Sequence, residues 1–265
     1  MTRRIRALFL KELRTLFASP IAYVVLTAFV SLSAVYFFQH LISYNQLLFA
    51  FQSEGLGTTD FDQGTVPLQI NTLNELFMPF AGDLLLFLLA VIPLITMRVF
   101  AEERATGTDE LLLTTPLRTW EVALAKHATT YLFVMLLLGA SAIYPAVVIS
   151  KSQLGMAHLG ALYLGQLAYG VAIAAIGLAC SSLTRSQVVA AIVAYAIPFI
   201  LLDFAWLDPV LTESASRILS EVAIQPHVDN FARGVLELRH GIYFVGLTLL
   251  GFTVSIASLE LVRAR

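Results

Sequence analysis

No Lys, Arg, Asp or Glu stands between Arg14 and Glu54, nor between Leu159 and Thr184. A helix needs about 20 mostly apolar residues to cross the hydrocarbon layer of a bilayer. In lipid every backbone N–H and C=O must be bonded within its own segment. Runs of this length and polarity therefore read as membrane-spanning helices and constrain the rest of the chain. Composition agrees. Hydrophobic residues make up 58% and charged residues 13% of the 265 positions, against about 45–50% and about 25% in soluble domains. Too few charges are present to cover a water-exposed surface of this size, so a soluble fold is excluded.

Hydropathy divides the chain into six expected spans: 21–42, 76–97, 128–149, 159–184, 187–207 and 242–259. The first has a basic flank, but its apolar run exceeds the 7–15 residues of a signal-peptide core. Orientation follows the distribution of basic residues. With the N-terminus cytoplasmic, twelve fall inside: Arg3, Arg4, Arg6, Lys11, Arg14, Arg98, Arg104, Arg118, Lys126, Arg185, Arg263 and Arg265. Lys151, Arg217, Arg233 and Arg239 fall outside. Both termini are accordingly expected in the cytoplasm.

Residues 1–18 contain an amphipathic helix. Ile5, Leu8, Phe9, Leu13, Leu16 and Phe17 recur at helical spacing, with Arg3, Arg4, Lys11 and Arg14 in the other sectors. It is expected to lie in the interface, apolar side in lipid. The 98–127 loop is about 30 residues long, where a plain connector needs only a few. Gly107 breaks the helix after Arg104; Thr108 is placed to cap a second one, with Asp109 and Glu110 in its first turn. Pro116 stops it, and Thr119 is placed to cap the next span. This pattern predicts a short stiff docking element. Between 208 and 240, Leu211, Ala215, Ile218, Leu219 and Val222 define one short amphipathic helix. Gln225–Pro226 breaks it, and Val228, Phe231, Val235 and Leu238 define another. These are expected as outer re-entrant or interfacial helices.

Chemistry is sparse. There is no G-x-x-x-x-G-K-[ST], G-x-S-x-G or H-E-x-x-H, so the chain has no P-loop of its own and no recognisable hydrolase centre. His40, His127, His158, His227 and His240 all fall at span ends or in loops, which disfavours an intramembrane protease. Glu102 and Glu103, next to Arg104, read as a solvated helix end rather than a metal site. Cys180, the single cysteine, excludes a disulfide framework and reads as a buried thiol. Asp83 and Asp203 are the ionisable residues expected inside spans, both toward outer ends. The absence of a carboxylate or His chain near the midplane disfavours a proton-driven transporter, and energy for any transport is expected from elsewhere. Gly170 with Ala174, and Ala175 with Ala179, form small-xxx-small pairs for close helix packing. Pro93, Pro145 and Pro198 mark possible kinks.

The stretch Glu102 to Pro116, EERATGTDELLLTTP, is similar to the E-E/K-R-x-x-G-T-x-E-L-L-x-x-x-P signature of ABC-2 type transporter permeases. Glu102, Glu103, Arg104, Gly107, Thr108, Glu110, Leu111, Leu112 and Pro116 match it. More narrowly, KELRTLFASPIAYVV at Lys11–Val25, PLITMRVFAEE at Pro93–Glu103, SSLTRSQVVA at Ser181–Ala190 and FARGVLELRHGIYF at Phe231–Phe244 resemble the gliding-motility-associated ABC transporter permeases. The resemblance implies an all-α integral membrane fold with six spans, an interfacial N-terminal helix, a cytoplasmic coupling helix, and short outer helices between spans five and six. It implies no cofactor in this chain, with ATP and Mg held by a separate cytoplasmic ATPase present in two copies. It further implies a second permease copy, or a related membrane partner with a large extracytoplasmic domain, and no nucleic acid. Export is favoured over import. A scaffold that anchors an ATPase and an outer partner without transporting is the competing reading.

Overall fold

The computed structural model describes residues 2–55, 71–108, 117–150, 155–204 and 212–263. Among them the chain is helical, with no strand. In order, α1 is Thr2–Ala18, α2 Pro20–Gly55 and α3 Met78–Thr106, the last led in by a π-helical turn at Leu73–Phe77. Then come α4 Thr119–Ser141, α5 Ile143–Ile149, α6 Met156–Leu183, α7 Gln187–Leu202, α8 Glu213–Val222, α9 Gln225–Ala232 and α10 Leu238–Arg263.

Among the described residues, five segments are long and apolar enough to cross a membrane: Pro20–Phe51, Leu73–Thr106, Thr119–Ser141, Met156–Leu183 and Leu238–Arg263. Six were expected. The expected 187–207 span is α7, an apolar helix of 16 residues, about 24 Å long at 1.5 Å per residue. It ends at Leu202, where Asp203 turns the backbone to an extended conformation. The expected 128–149 span begins earlier, at Thr119, and is divided after Ser141, with Pro145 in the short α5 that follows. The last span starts at Leu238 rather than 242, because Gly234 at φ 82° ends the preceding helix and frees Leu238 to begin a new one.

Helix α6 is the axis. It packs against α3, α4, α7, α9 and α10, and its small residues set how closely. A Cβ on Gly170 would meet Val134 Cγ1 at 2.7 Å; one on Gly177 would collide with the Thr96 side chain; one on Gly165 would collide with Phe231. A Cβ on Gly251 of α10 would come within 2.6 Å of the Ala175 backbone, so these two helices cross with main chains nearly touching. Ala174 is fully buried and Ala179 nearly so. Cys180 is buried. A polar peg adds direction: the Ser181 hydroxyl accepts from the N–H groups of Phe100 and Ala101 and donates to Met97 O. It fixes α6 against α3 near the latter's C-terminal end.

The periphery follows the same logic. Helix α2 leaves Val24, Val35, Phe38, Ile42 and Phe49 exposed, and α7 leaves Val188, Ile192, Phe199 and Ile200 exposed. Apolar faces of this extent are stable only in contact with lipid or protein.

Candidate functional site

The junction of α1, α3 and α4 is where charge enters the bundle. Helix α1 does not simply float with its apolar side in lipid. Its inward stripe is Leu8, Glu12 and Leu16, at i, i+4 and i+8. Leu8 is buried with Phe100, Val122, Ala123 and Leu259. Glu12, buried in the same stripe, requires a counter-charge. Lys126 of α4 supplies it at 3.2 Å.

Lys126 is the hub, with a side chain only 1% exposed. Its ammonium contacts Glu12 Oε2 and Glu103 Oε2, the latter at 2.9 Å, and donates to Val99 O at 3.0 Å. It also lies 5.2 Å from the centre of the Phe100 ring, a cation–π distance. Lys11 closes the cluster from outside, 3.0 Å from Glu12 and 3.3 Å from Glu103. Burial pulls the Lys11 ammonium down, but the carboxylates of Glu12 and Glu103 more than offset it and hold its pKa above the usual 10.5.

The structure thus separates the two carboxylates expected to form a solvated helix end. Glu102 is half-exposed and pairs loosely with Arg98 at 3.5 Å. Glu103 faces inward, because the 100° step per residue turns it toward Lys126. Arg104 reaches the opposite side and donates to Ser258 Oγ at 2.9 Å, tying α3 to α10. Ser258 in turn donates to Ser182 O on α6. Gly107 ends α3 with φ 72°, its N–H on Glu103 O, a left-handed C-cap of the kind glycine provides without strain. The Thr108 hydroxyl bonds back to Glu103 O and to Thr106 rather than forward. Glu110, Leu111, Leu112 and Pro116 lie outside the described residues.

On the far side of the loop, Arg118 caps α4 in place of the expected Thr119. Its N–H is received by the Glu121 carboxylate at 2.9 Å, while Thr119 is already helical and its hydroxyl points to Glu260 at 3.3 Å. Arg263 bonds Leu117 O. A cavity of about 500 Å³ opens between α1, α3, α4 and the start of α2, with Leu16, Ile21 and Ile95 on its apolar side and Lys11, Arg98 and Glu102 on its polar side.

Other titratable groups sit elsewhere. His127 lies inside α4 rather than at a span end; it is buried, with Nδ1 bonded to Ala123 O and Nε2 unpartnered. Asp83 is bound to His40 Nε2 at 2.6 Å, joining α2 to α3, a partner that spacing alone did not reveal. No group of three or more His, Cys, Asp or Glu capable of holding a metal occurs among the described residues.

These features describe an integral membrane protein whose charged side chains gather at the end of α3 and whose apolar helices surround a central small-residue axis. The model of the ABC-2 family transporter proteins matches residues 52–207, and the chain belongs to that family. It is accordingly a membrane permease component, of a family whose members work in general with a partner ATPase and are not themselves enzymes. A search of curated proteins returns no match.

Proposed function

We propose that this chain is the transmembrane permease subunit of an ATP-driven ABC-2 exporter and couples to its ATPase through the 98–127 loop. The observation that carries this is the anchoring of the loop's first arm. Glu103 is gripped by Lys126 and Lys11, and Arg104 by Ser258, so one helix end is fastened to α1, α4 and α10 together. A displacement applied beyond Gly107 reaches the bundle through these fixed bonds instead of dissipating in a flexible linker.

In this reading ATP and Mg draw two ATPase copies together, the loop passes the movement on, and the route between two permease units changes access. Both termini and the loop lie on the cytoplasmic side, on the strength of the basic-residue bias, and the resemblance to ABC-2 permeases supports the bacterial inner membrane as the location. The likeness of four stretches to gliding-motility-associated permeases supports a partner with a large extracytoplasmic domain, or a second copy, as the other half of the route. Gliding itself does not follow from the likeness.

The test replaces Gly107–Leu113 with a Gly/Ser linker. Insertion is expected to persist while ATPase co-purification is lost. Retained ATPase activity that responds to substrate would refute the coupling role. Reconstitution of the unaltered complex separates transport from scaffolding, because a scaffold shows no substrate-dependent ATP turnover.

A further inference from the structure

His227 of α9 and His240 of α10 are both buried, and their Nδ1 atoms lie 2.5 Å apart. One proton occupies that contact. The flanking partners decide which ring owns it. His227 Nε2 is 3.0 Å from the backbone carbonyl of Glu221, which only accepts. His227 therefore carries its hydrogen on Nε2 and offers a bare Nδ1. His240 Nε2 is 2.9 Å from the Asn230 side-chain amide nitrogen, which only donates. His240 therefore carries its hydrogen on Nδ1. The chain Asn230 → His240 → His227 → Glu221 C=O is fully bonded in one direction, and only with both imidazoles neutral.

An added proton has one place to go. It cannot enter between the rings, where a hydrogen already lies. It cannot enter at His227 Nε2, which is already protonated. It enters at His240 Nε2, where the Asn230 amide must withdraw and the Glu237 carboxylate waits at 3.3 Å. Asn230 keeps its bond to Pro226 O within its own helix, so withdrawal removes one of the side-chain bonds between α9 and α10 and leaves the His227–His240 contact to hold them.

The charged surroundings complete the picture. Glu221 of α8 is already taken by Arg239 of α10. Asp229 of α9 lies near Arg233 and Asp203, and burial pushes its carboxyl up. From α6, His158 lies against Gly234. The rings of Tyr243, Phe231 and Phe244 pack around the pair, and Val228, Phe231 and Phe244 belong to the apolar core shared with α3 and α6. Burial, and then the neighbouring His240, lower the pKa of His227 to about 4, so this ring resists the extra charge.

We propose that His227 and His240 form an acid-operated latch that holds the short helices α8 and α9 against the head of α10. When neutral it is closed. When His240 takes a second proton and turns it to Glu237, the bond across to Asn230 is lost and α9 loosens.

Nitrogen-15 NMR of the full chain in nanodiscs, labelled at histidine, reads the tautomers directly. At about pH 8, His227 is expected as the Nε2–H form and His240 as the Nδ1–H form. On acidification the doubly protonated ring is expected at His240 and not at His227. Hydrogen exchange of α9, corrected for intrinsic rate, accelerates about tenfold per pH unit through that titration. Glu237→Gln moves the transition to lower pH, Asn230→Ala gives fast α9 exchange already at neutral pH, and His158→Asn leaves the response unchanged. The opposite tautomers, or α9 exchange insensitive to acid in the unaltered chain, overturn the proposal even if a variant fails to fold. The latch does not depend on the coupling loop, so its failure would leave that reading untouched.

Discussion

Lys126 Nζ lies 2.9 Å from Glu103 Oε2, across 23 positions of sequence that include the loop itself. The two ends of the 98–127 segment are thereby pinned to each other as well as to α1. The described ends of the segment are thus held together as a clasp.

Removing the hub should be costly. Lys126→Met leaves Glu12 and Glu103 without their buried counter-charge, and breaking such a pair costs about 3–5 kcal/mol. A thermal-unfolding series in detergent is expected to show this loss for the single variant. The double variant Lys126→Met with Glu103→Gln should recover part of it, since one orphan charge is gone. Equal stability of the single variant and the parent would contradict the buried hub.

The α6–α10 crossing predicts a contrast within one helix. Gly251→Ala drives a methyl into the Ala175 backbone, which cannot yield, and overpacking of this kind costs about 1–3 kcal/mol. Gly246→Ala, with nothing within 4 Å of the new methyl among the described residues, is expected to be neutral or stabilising. Folded yield and midpoint of thermal inactivation, compared for the two, check it.

Gly107→Ala places a Cβ in a left-handed conformation that costs an L-residue about 1–2 kcal/mol. No neighbour among the described residues obstructs the methyl, so the expected effect is on the backbone. Hydrogen exchange should quicken in the last turn of α3 while the bundle core is unchanged. Gly107→Asn, which tolerates this region better, is expected to fall between.

The docking of α1 should depend on alkaline pH. The Lys11 pKa is raised above 10.5 in the folded chain. A raised basic group contributes stability that is complete below its unfolded pKa and is lost as pH rises through the folded value. Release of α1, followed by protease access to residues 2–18, is therefore expected only above about pH 10.5. Lys11→Gln should remove the pH dependence and weaken docking slightly at neutral pH, since half of this side chain meets solvent.

The apolar helices were legible because a bilayer demands long uncharged runs, and Gly107 was legible as a break because a left-handed cap favours glycine. The pairings were not. Glu12 and Lys126 stand 114 positions apart, and nothing in periodicity assigns one to the other. A signal was nonetheless present: Glu12 interrupts the apolar stripe Leu8–Leu16, and a charge on an inward face calls for a partner. Glu103 was misread beside Glu102 because adjacent identical residues look equivalent in sequence, while the helix turns them 100° apart. His40 with Asp83, and His227 with His240, likewise join residues whose meeting is decided by packing. The expected 187–207 span runs past the helix because hydropathy continues beyond Leu202 through Phe204 and Trp206, whereas the helix ends at Leu202 and Asp203 is extended.

The near-contact of the α6 and α10 main chains leaves no slack at the centre of the molecule. Helices separated by long side chains accommodate a push by rotamer change; here there is only backbone to compress. Helices α6 and α10, with α3 pegged on by Ser181, must travel as one block. Any change of shape is then taken up at its rim, where α2 meets the bundle through side chains such as Phe29 and Phe37.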